Sequence, residues 1–145
     1  PGLNGTGKMG KSEGEGNAIY LSDEPEVIRK KVMKAVTDSG PTQPNQEKPE
    51  AIKNIFQLMK VVSAPETLAF FEEQYNTCQI RYGDMKKQLA QDMIAFTEPM
   101  REKIKAISAD EAYVSNAARI GREKARESAS KTIREVREII GFRYF

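Results

Sequence analysis

The chain contains no histidine and no tryptophan, and only one cysteine, Cys78. Without an imidazole there is no histidine base to activate a serine or cysteine nucleophile. One thiol and no histidine also exclude a Cys/His zinc site and an intramolecular disulfide, so no protein-held metal is expected. Long apolar runs are missing as well, and the N-terminus lacks the basic-then-apolar order of a secretion signal. Neither a membrane partner nor export is supported, and a reducing, cytoplasmic setting is the expectation. Nor is there a surplus of one charge: 23 Lys and Arg face 21 Asp and Glu, for a formal charge of +2. Any attraction to nucleic acid must therefore come from local clustering.

What remains is 145 residues, 39% hydrophobic and 30% charged, enough for one domain built from amphipathic helices with wet outer faces. Six of the ten glycines fall in the first 16 residues, so residues 1–21 read as a glycine-rich loop that ends in the short apolar stretch "AIYL". Residues 22–145 read as a helical domain. Asp23 with Glu26 forms a capping box, and Ile28, Val32, Ala35 and Val36 continue a helix to about Asp38. Pro41, Pro44 and Pro49 then impose a loop, with Pro49 placed as the first residue of the next helix. That second helix carries Ile52, Ile55, Phe56, Met59 and Val62. Ser63 and Glu66 predict a capping box opening a third, which buries Leu68, Phe71 and Tyr75. A long helix begins near Asp84 with Met85, Leu89, Phe96, Met100 and Ile104 inward and a bend at Pro99. Ser108 and Glu111 predict the cap of the last helix, with a stripe of Val114, Ala118, Gly121, Ala125, Thr132, Val136 and Ile140. The fold class is all-α: a bundle of about five helices preceded by a glycine-rich loop. Met85, Met93 and Met100 read as core filling, Cys78 as a small buried or interfacial residue, and Tyr82 as packing at a helix boundary.

Within the loop, "GTGKMGKS" at Gly5–Ser12 satisfies the phosphate-cradling pattern G-x-x-x-x-G-K-[ST]. That device needs a buried strand running into the loop and a helix starting at the Lys-Ser, so that helix N–H groups meet the phosphates. Here "PGLN" precedes Gly5 and "EGEGN" follows Ser12, which supplies neither flank. No later apolar strand ends in a magnesium-holding Asp. The P-loop reading fails on context.

The inner five residues, "KMGKS" at Lys8–Ser12, resemble the KMSKS loop of class I aminoacyl-tRNA synthetases, with Gly10 where that pattern usually has serine. "NAIYLSDEPEVIRKKVMKAVTDS" resembles the segment that follows the loop in tryptophanyl-tRNA synthetases. "YGDMKKQLAQDM", "EPMREK" and "GREKARESASKTIREVREIIGF" resemble the C-terminal helices of the same family. The resemblance covers nearly the whole chain. It implies that Lys8, Met9, Gly10, Lys11 and Ser12 bind ATP, taken with Mg2+, and that Lys8 and Lys11 stabilise charge on the phosphoryl oxygens as the amino acid is activated. It implies a tRNA(Trp) partner at the helical domain, a full-length homodimer, and tryptophan bound in a Rossmann domain that these 145 residues do not include. The chain then reads as a C-terminal part beginning just before the loop, inactive alone.

On the last helix, at about 100° per residue, Arg119, Arg122, Arg126 and Arg137 share one face and make a candidate tRNA surface. From Ala117 to Phe145 eight basic residues, Arg143 among them, stand against four Glu. A solvated face laced with i,i+4 pairs explains any single arginine equally well. Three other readings stay open: a free-standing helical RNA-binding module, a purely structural interaction domain, and a tyrosine-specific synthetase. Indifference to substitution of Lys8 and Lys11 marks the first, absence of salt-dependent tRNA affinity the second, and amino-acid selectivity the third.

Overall fold

The computed structural model describes residues 1–142, without the side chains of Lys11 and Glu15; Arg143 therefore lies outside the described residues. Five α-helices and two short 3-10 turns make up its regular structure: α1 (Pro25–Met33), α2 (Glu50–Val62), α3 (Pro65–Asn76), α4 (Tyr82–Ala109) and α5 (Glu111–Ile139). No strand occurs among the described residues. The chain divides into two compact units, Pro1–Glu102 and Lys103–Phe145.

In the first unit the apolar periodicity does what it predicts. Ile52, Ile55, Phe56 and Met59 line the inner face of α2 and are buried, as are Ile28 and Val32 of α1 and Phe71 and Tyr75 of α3. From α4 come Met85, Leu89, Ala90 and Met93. Each fully buried large side chain contributes about 1.5–3 kcal/mol before the conformational entropy of ordering it is counted. Phe56 and Tyr75 meet edge to face, 6.1 Å apart at 86°. The Lys48 ammonium lies 4.8 Å from both ring centroids and 2.7 Å from Glu72 Oε2. Val36 and Phe96, expected inside, are each 47% exposed. Cys78 is exposed rather than buried.

The predicted capping boxes are not used. Pro25 and Pro65 hold the first turns of α1 and α3, and the residues before them, Glu24 and Ala64, occupy the cap positions without a side-chain hydrogen bond to the helix's first N–H groups. Proline with its fixed φ starts these helices one residue later than a box would. Asp23 instead accepts from Tyr20 N at 3.0 Å and pairs with Lys31 Nζ at 2.6 Å. α1 ends at Met33, short of Asp38, and Ser63 caps the end of α2. The last helix is capped by Asp110, which accepts from Tyr113 N at 2.8 Å, while Ser108 remains in α4. Pro99 lies inside α4, which continues through it.

Among the described residues of this unit, Arg101 is the buried charge, 3% exposed. Its Nη1 donates to the Asp23 carbonyl at 3.3 Å and to Thr97 Oγ1 at 3.5 Å. A buried guanidinium is tolerable only with such partners, and these fix α4 against the turn that precedes α1. The second unit holds the end of α4 and the whole of α5, which has no buried residue. Val114, Ala118, Gly121 and Ala125 are present as an exposed stripe along α5.

Candidate functional site

The glycine-rich segment is an ordered loop seated on the first unit. Leu3, buried, accepts from Val36 N at 2.9 Å and donates to the Asn17 carbonyl at 3.2 Å, which closes the loop at its base against the end of α1. Between these points the chain turns outward. Lys8 is exposed, while Met9 beside it packs on the core. With Met9 half-buried against the core and Lys8 exposed, the two neighbouring side chains leave the chain in different directions and the Lys8 ammonium stays open to solvent.

Gly10 is extended (φ −138°, ψ 148°) and precedes a 3-10 turn, Lys11–Glu13, closed by Glu13 N donating to the Gly10 carbonyl at 3.1 Å. Its backbone does not require glycine, and a Cβ there would meet Glu13 Cγ at 3.4 Å, an ordinary contact. The serine usual in KMSKS loops therefore fits this backbone. Ser12 is exposed in the turn. Gly14 follows at φ 92°, ψ 147°, a region only glycine occupies readily. It reverses the chain into the second turn, Glu15–Asn17.

Two short 3-10 turns stand where a P-loop has its helix, so the P-loop arrangement is absent, as its flanks predict. The loop nevertheless offers the Lys8 ammonium, the Ser12 hydroxyl and backbone N–H groups on one exposed segment. Such groups complement phosphoryl oxygens. Among the described residues no group of three His, Cys, Asp or Glu could hold a metal ion, and no helix is long and apolar enough to cross a membrane.

On α5, Arg119, Arg122, Arg126 and Arg137 fall within an arc of about 60° at about 100° per residue. Arg119 is engaged along its own helix, Nη1 to Glu123 Oε1 and Nη2 to Asn116 Oδ1, both at 2.9 Å. Arg122 and Arg126 are exposed and Arg137 is half-buried. The cluster is a charged helix face rather than a cleft.

Asn17 has no counterpart in the sequence reading. Its carboxamide is buried and joins two parts of the loop, yet its only sequence signal is a polar residue between glycine and an apolar run. Tyr82 serves as packing, as expected, and its hydroxyl also bonds Asp38.

A family model described as tRNA synthetases class I (W and Y) matches residues 1–98. Tryptophan–tRNA ligase of Porphyromonas gingivalis is 59% identical over 143 residues, covering 99% of this chain and 43% of that protein. Tryptophan–tRNA ligase 1 of Streptomyces coelicolor is 38% identical over 136 residues, 92% of this chain and 39% of its own length. The chain thus spans less than half the length of these curated relatives. Among solved structures, tryptophanyl-tRNA synthetase from Campylobacter jejuni complexed with ADP and tryptophan superposes with a TM-score of 0.73 at 24% identity, over 97% of this chain and 42% of that one. That likeness speaks to the fold alone. With the KMGKS loop and the helices both matched, the chain belongs to the class I tRNA synthetases of the tryptophan and tyrosine type.

Proposed function

We propose that the chain is the C-terminal part of a tryptophan–tRNA ligase, carrying its ATP-phosphate loop and its tRNA-facing helices. The observation that supports this most is the 59% identity to a tryptophan–tRNA ligase across 99% of the chain. Both curated relatives carry tryptophan in their names, which favours tryptophan over tyrosine.

In amino-acid activation the tryptophan carboxylate attacks the α-phosphorus of ATP, a new acyl–phosphate bond forms and pyrophosphate leaves. Negative charge grows on the phosphoryl oxygens during the step. Lys8 and Lys11 supply positive charge to those oxygens, Ser12 adds a hydroxyl, and Met9 and Gly10 carry the intervening backbone. Electrostatic contact that strengthens in the transition state raises the rate rather than merely the affinity. Magnesium bound to ATP would neutralise part of the phosphate charge; among the described residues no group of three His, Cys, Asp or Glu is placed to hold it. Tryptophan itself is held by a Rossmann domain outside this chain. Arg119, Arg122, Arg126 and Arg137 meet tRNA(Trp) phosphates, and the full-length enzyme is a cytoplasmic homodimer. Residues 1–21 act as the ATP loop and residues 22–145 as the tRNA-binding domain.

The test is ATP–pyrophosphate exchange by the full-length polypeptide with tryptophan or tyrosine, with the 145-residue chain as control. Exchange with tryptophan only, and none from the shorter chain, is the expected result. Exchange with tyrosine, or with neither amino acid from a folded protein, overturns the reading.

A further inference from the structure

The loop holds its shape through one buried carboxamide. Asn17 is 4% exposed. Its Oδ1 accepts from Asn4 N at 2.9 Å and its Nδ2 donates to the Lys8 carbonyl at 3.1 Å. Its backbone is engaged too: its N–H donates to the Gly14 carbonyl at 3.1 Å and its carbonyl accepts from Leu3 N at 3.2 Å. One residue thus connects the incoming segment, the KMGKS stretch and the outgoing turn. Both side-chain partners are backbone groups of fixed polarity, one a donor and the other an acceptor, so the amide orientation is forced. Only a side chain with a donor and an acceptor at this reach satisfies both. Aspartate would turn a lone pair on the Lys8 carbonyl, and serine is too short to reach both partners. The space is shaped for the amide as well: a Cβ on Gly2 would stand 2.5 Å from Asn17 Oδ1 and 2.7 Å from Nδ2.

We propose that Asn17 is a positioning residue for Lys8: its carboxamide fixes the Lys8 carbonyl and thereby the direction in which the Lys8 ammonium meets ATP. The Lys8 carbonyl and the half-buried Met9 side chain, packed on the core, lie on either side of the Lys8–Met9 peptide, so holding both leaves the lysine a narrow range of departure. Releasing the carbonyl lets the stretch swing about Gly7 and Gly14, both at positive φ. The proposal rests on the reading of the loop as the ATP-phosphate loop.

The experiment compares Asn17→Ser, Asn17→Asp, Gly2→Ala and Lys8→Ala with the parent in the full-length protein. Gly2→Ala displaces the amide without altering it, and so covers the case in which an Asn17 variant fails to fold. Hydrogen exchange of peptides spanning residues 4–13 reads the clamp directly, and pyrophosphate exchange at varied ATP and varied tryptophan reads its consequence. Faster exchange in the loop, an ATP KM raised or a kcat lowered at least tenfold, and a tryptophan KM within twofold of the parent support the proposal. Unchanged loop exchange in Asn17→Ser and Gly2→Ala overturns it. So does normal ATP kinetics in the Asn17 variants when Lys8→Ala is impaired, a result that leaves the loop's ATP role standing. If Lys8→Ala also behaves as the parent, the ATP reading of the loop falls and the proposal falls with it.

Discussion

The Tyr82 hydroxyl donates a 2.7 Å hydrogen bond to Asp38 Oδ1, joining the first turn of α4 to the segment that leaves α1. The same oxygen accepts from Gly40 N at 2.9 Å, and Lys86, one turn along α4, donates to Thr37 Oγ1 at 3.1 Å. This corner lies on the covalent path from the KMGKS loop to the long helix. Removing the hydroxyl while keeping the ring isolates its contribution. Tyr82→Phe is expected to lower stability by about 1 kcal/mol, measured by urea unfolding. A change below a few tenths would mean that water replaces the bond without loss.

The same corner sets an alkaline limit. Burial, then the hydrogen bond to Asp38 and its charge, push the Tyr82 phenol well above its ordinary value of 10.0. Tyr75 moves the same way, chiefly by burial. The folded state therefore keeps protons that the unfolded state releases, so this stability is complete below about pH 10 and is lost as pH rises toward the folded values. Lys86 has the opposite sign: burial lowers its pKa, so its contribution improves with pH just below its ordinary value. Urea titrations from about pH 8 to 11 should show a net loss at the top of the range that is smaller in Tyr82→Phe. An equal loss in that variant would place the alkaline sensitivity elsewhere.

Cys78 occupies the left-handed position that ends α3, with φ 58°. Its N–H donates to the Tyr75 carbonyl at 3.1 Å and Gln79 N to the Gln74 carbonyl at 2.8 Å, a Schellman pattern in which glycine is the usual residue. Cys78→Gly is expected to stabilise the protein by about 1 kcal/mol, since the left-handed conformation costs a side chain about that much. Thermal unfolding under reducing conditions decides it, and a destabilised variant would show that the thiol makes a contribution larger than the strain.

Arginines on a solvated helix face are distinguished from recognition residues by what they leave unchanged. Replacing Arg119, Arg122 and Arg126 together with alanine in the full-length protein is expected to weaken tRNA binding by about tenfold or more and to flatten its salt dependence. Pyrophosphate exchange should stay near the parent rate. Equal losses in both assays would point to folding.

Helix identity was readable in the sequence because α2 and the start of α4 repeat apolar residues at helical spacing, and burial follows that repeat through Ile52, Ile55, Met59, Met85 and Leu89. Helix starts were less so. The pattern at Asp23 and Glu26 is a good local cap, but Pro25 fixes the first turn after it and Asp23 is drawn to Lys31 by tertiary packing. The buried positions of Arg101 and Asn17 were not readable at all, because what lets a polar group be buried is a partner distant in sequence, and Arg101 bonds Asp23 across 78 positions. The KMGKS loop was readable as a string of residue types; its anchorage by Met9, Gly14 and Asn17 was not, since a glycine-rich run reads as freedom until its hydrogen bonds are known.

In the proposed function the KMGKS loop stabilises charge on ATP during tryptophan activation. The most direct measurement is pyrophosphate exchange by full-length Lys11→Ala, set beside tryptophan affinity from equilibrium dialysis. A fall in kcat of at least about 100-fold, equivalent to about 2.7 kcal/mol of transition-state stabilisation, with tryptophan affinity within twofold of the parent, is the predicted result. Exchange at the parent rate from a correctly folded variant would contradict it.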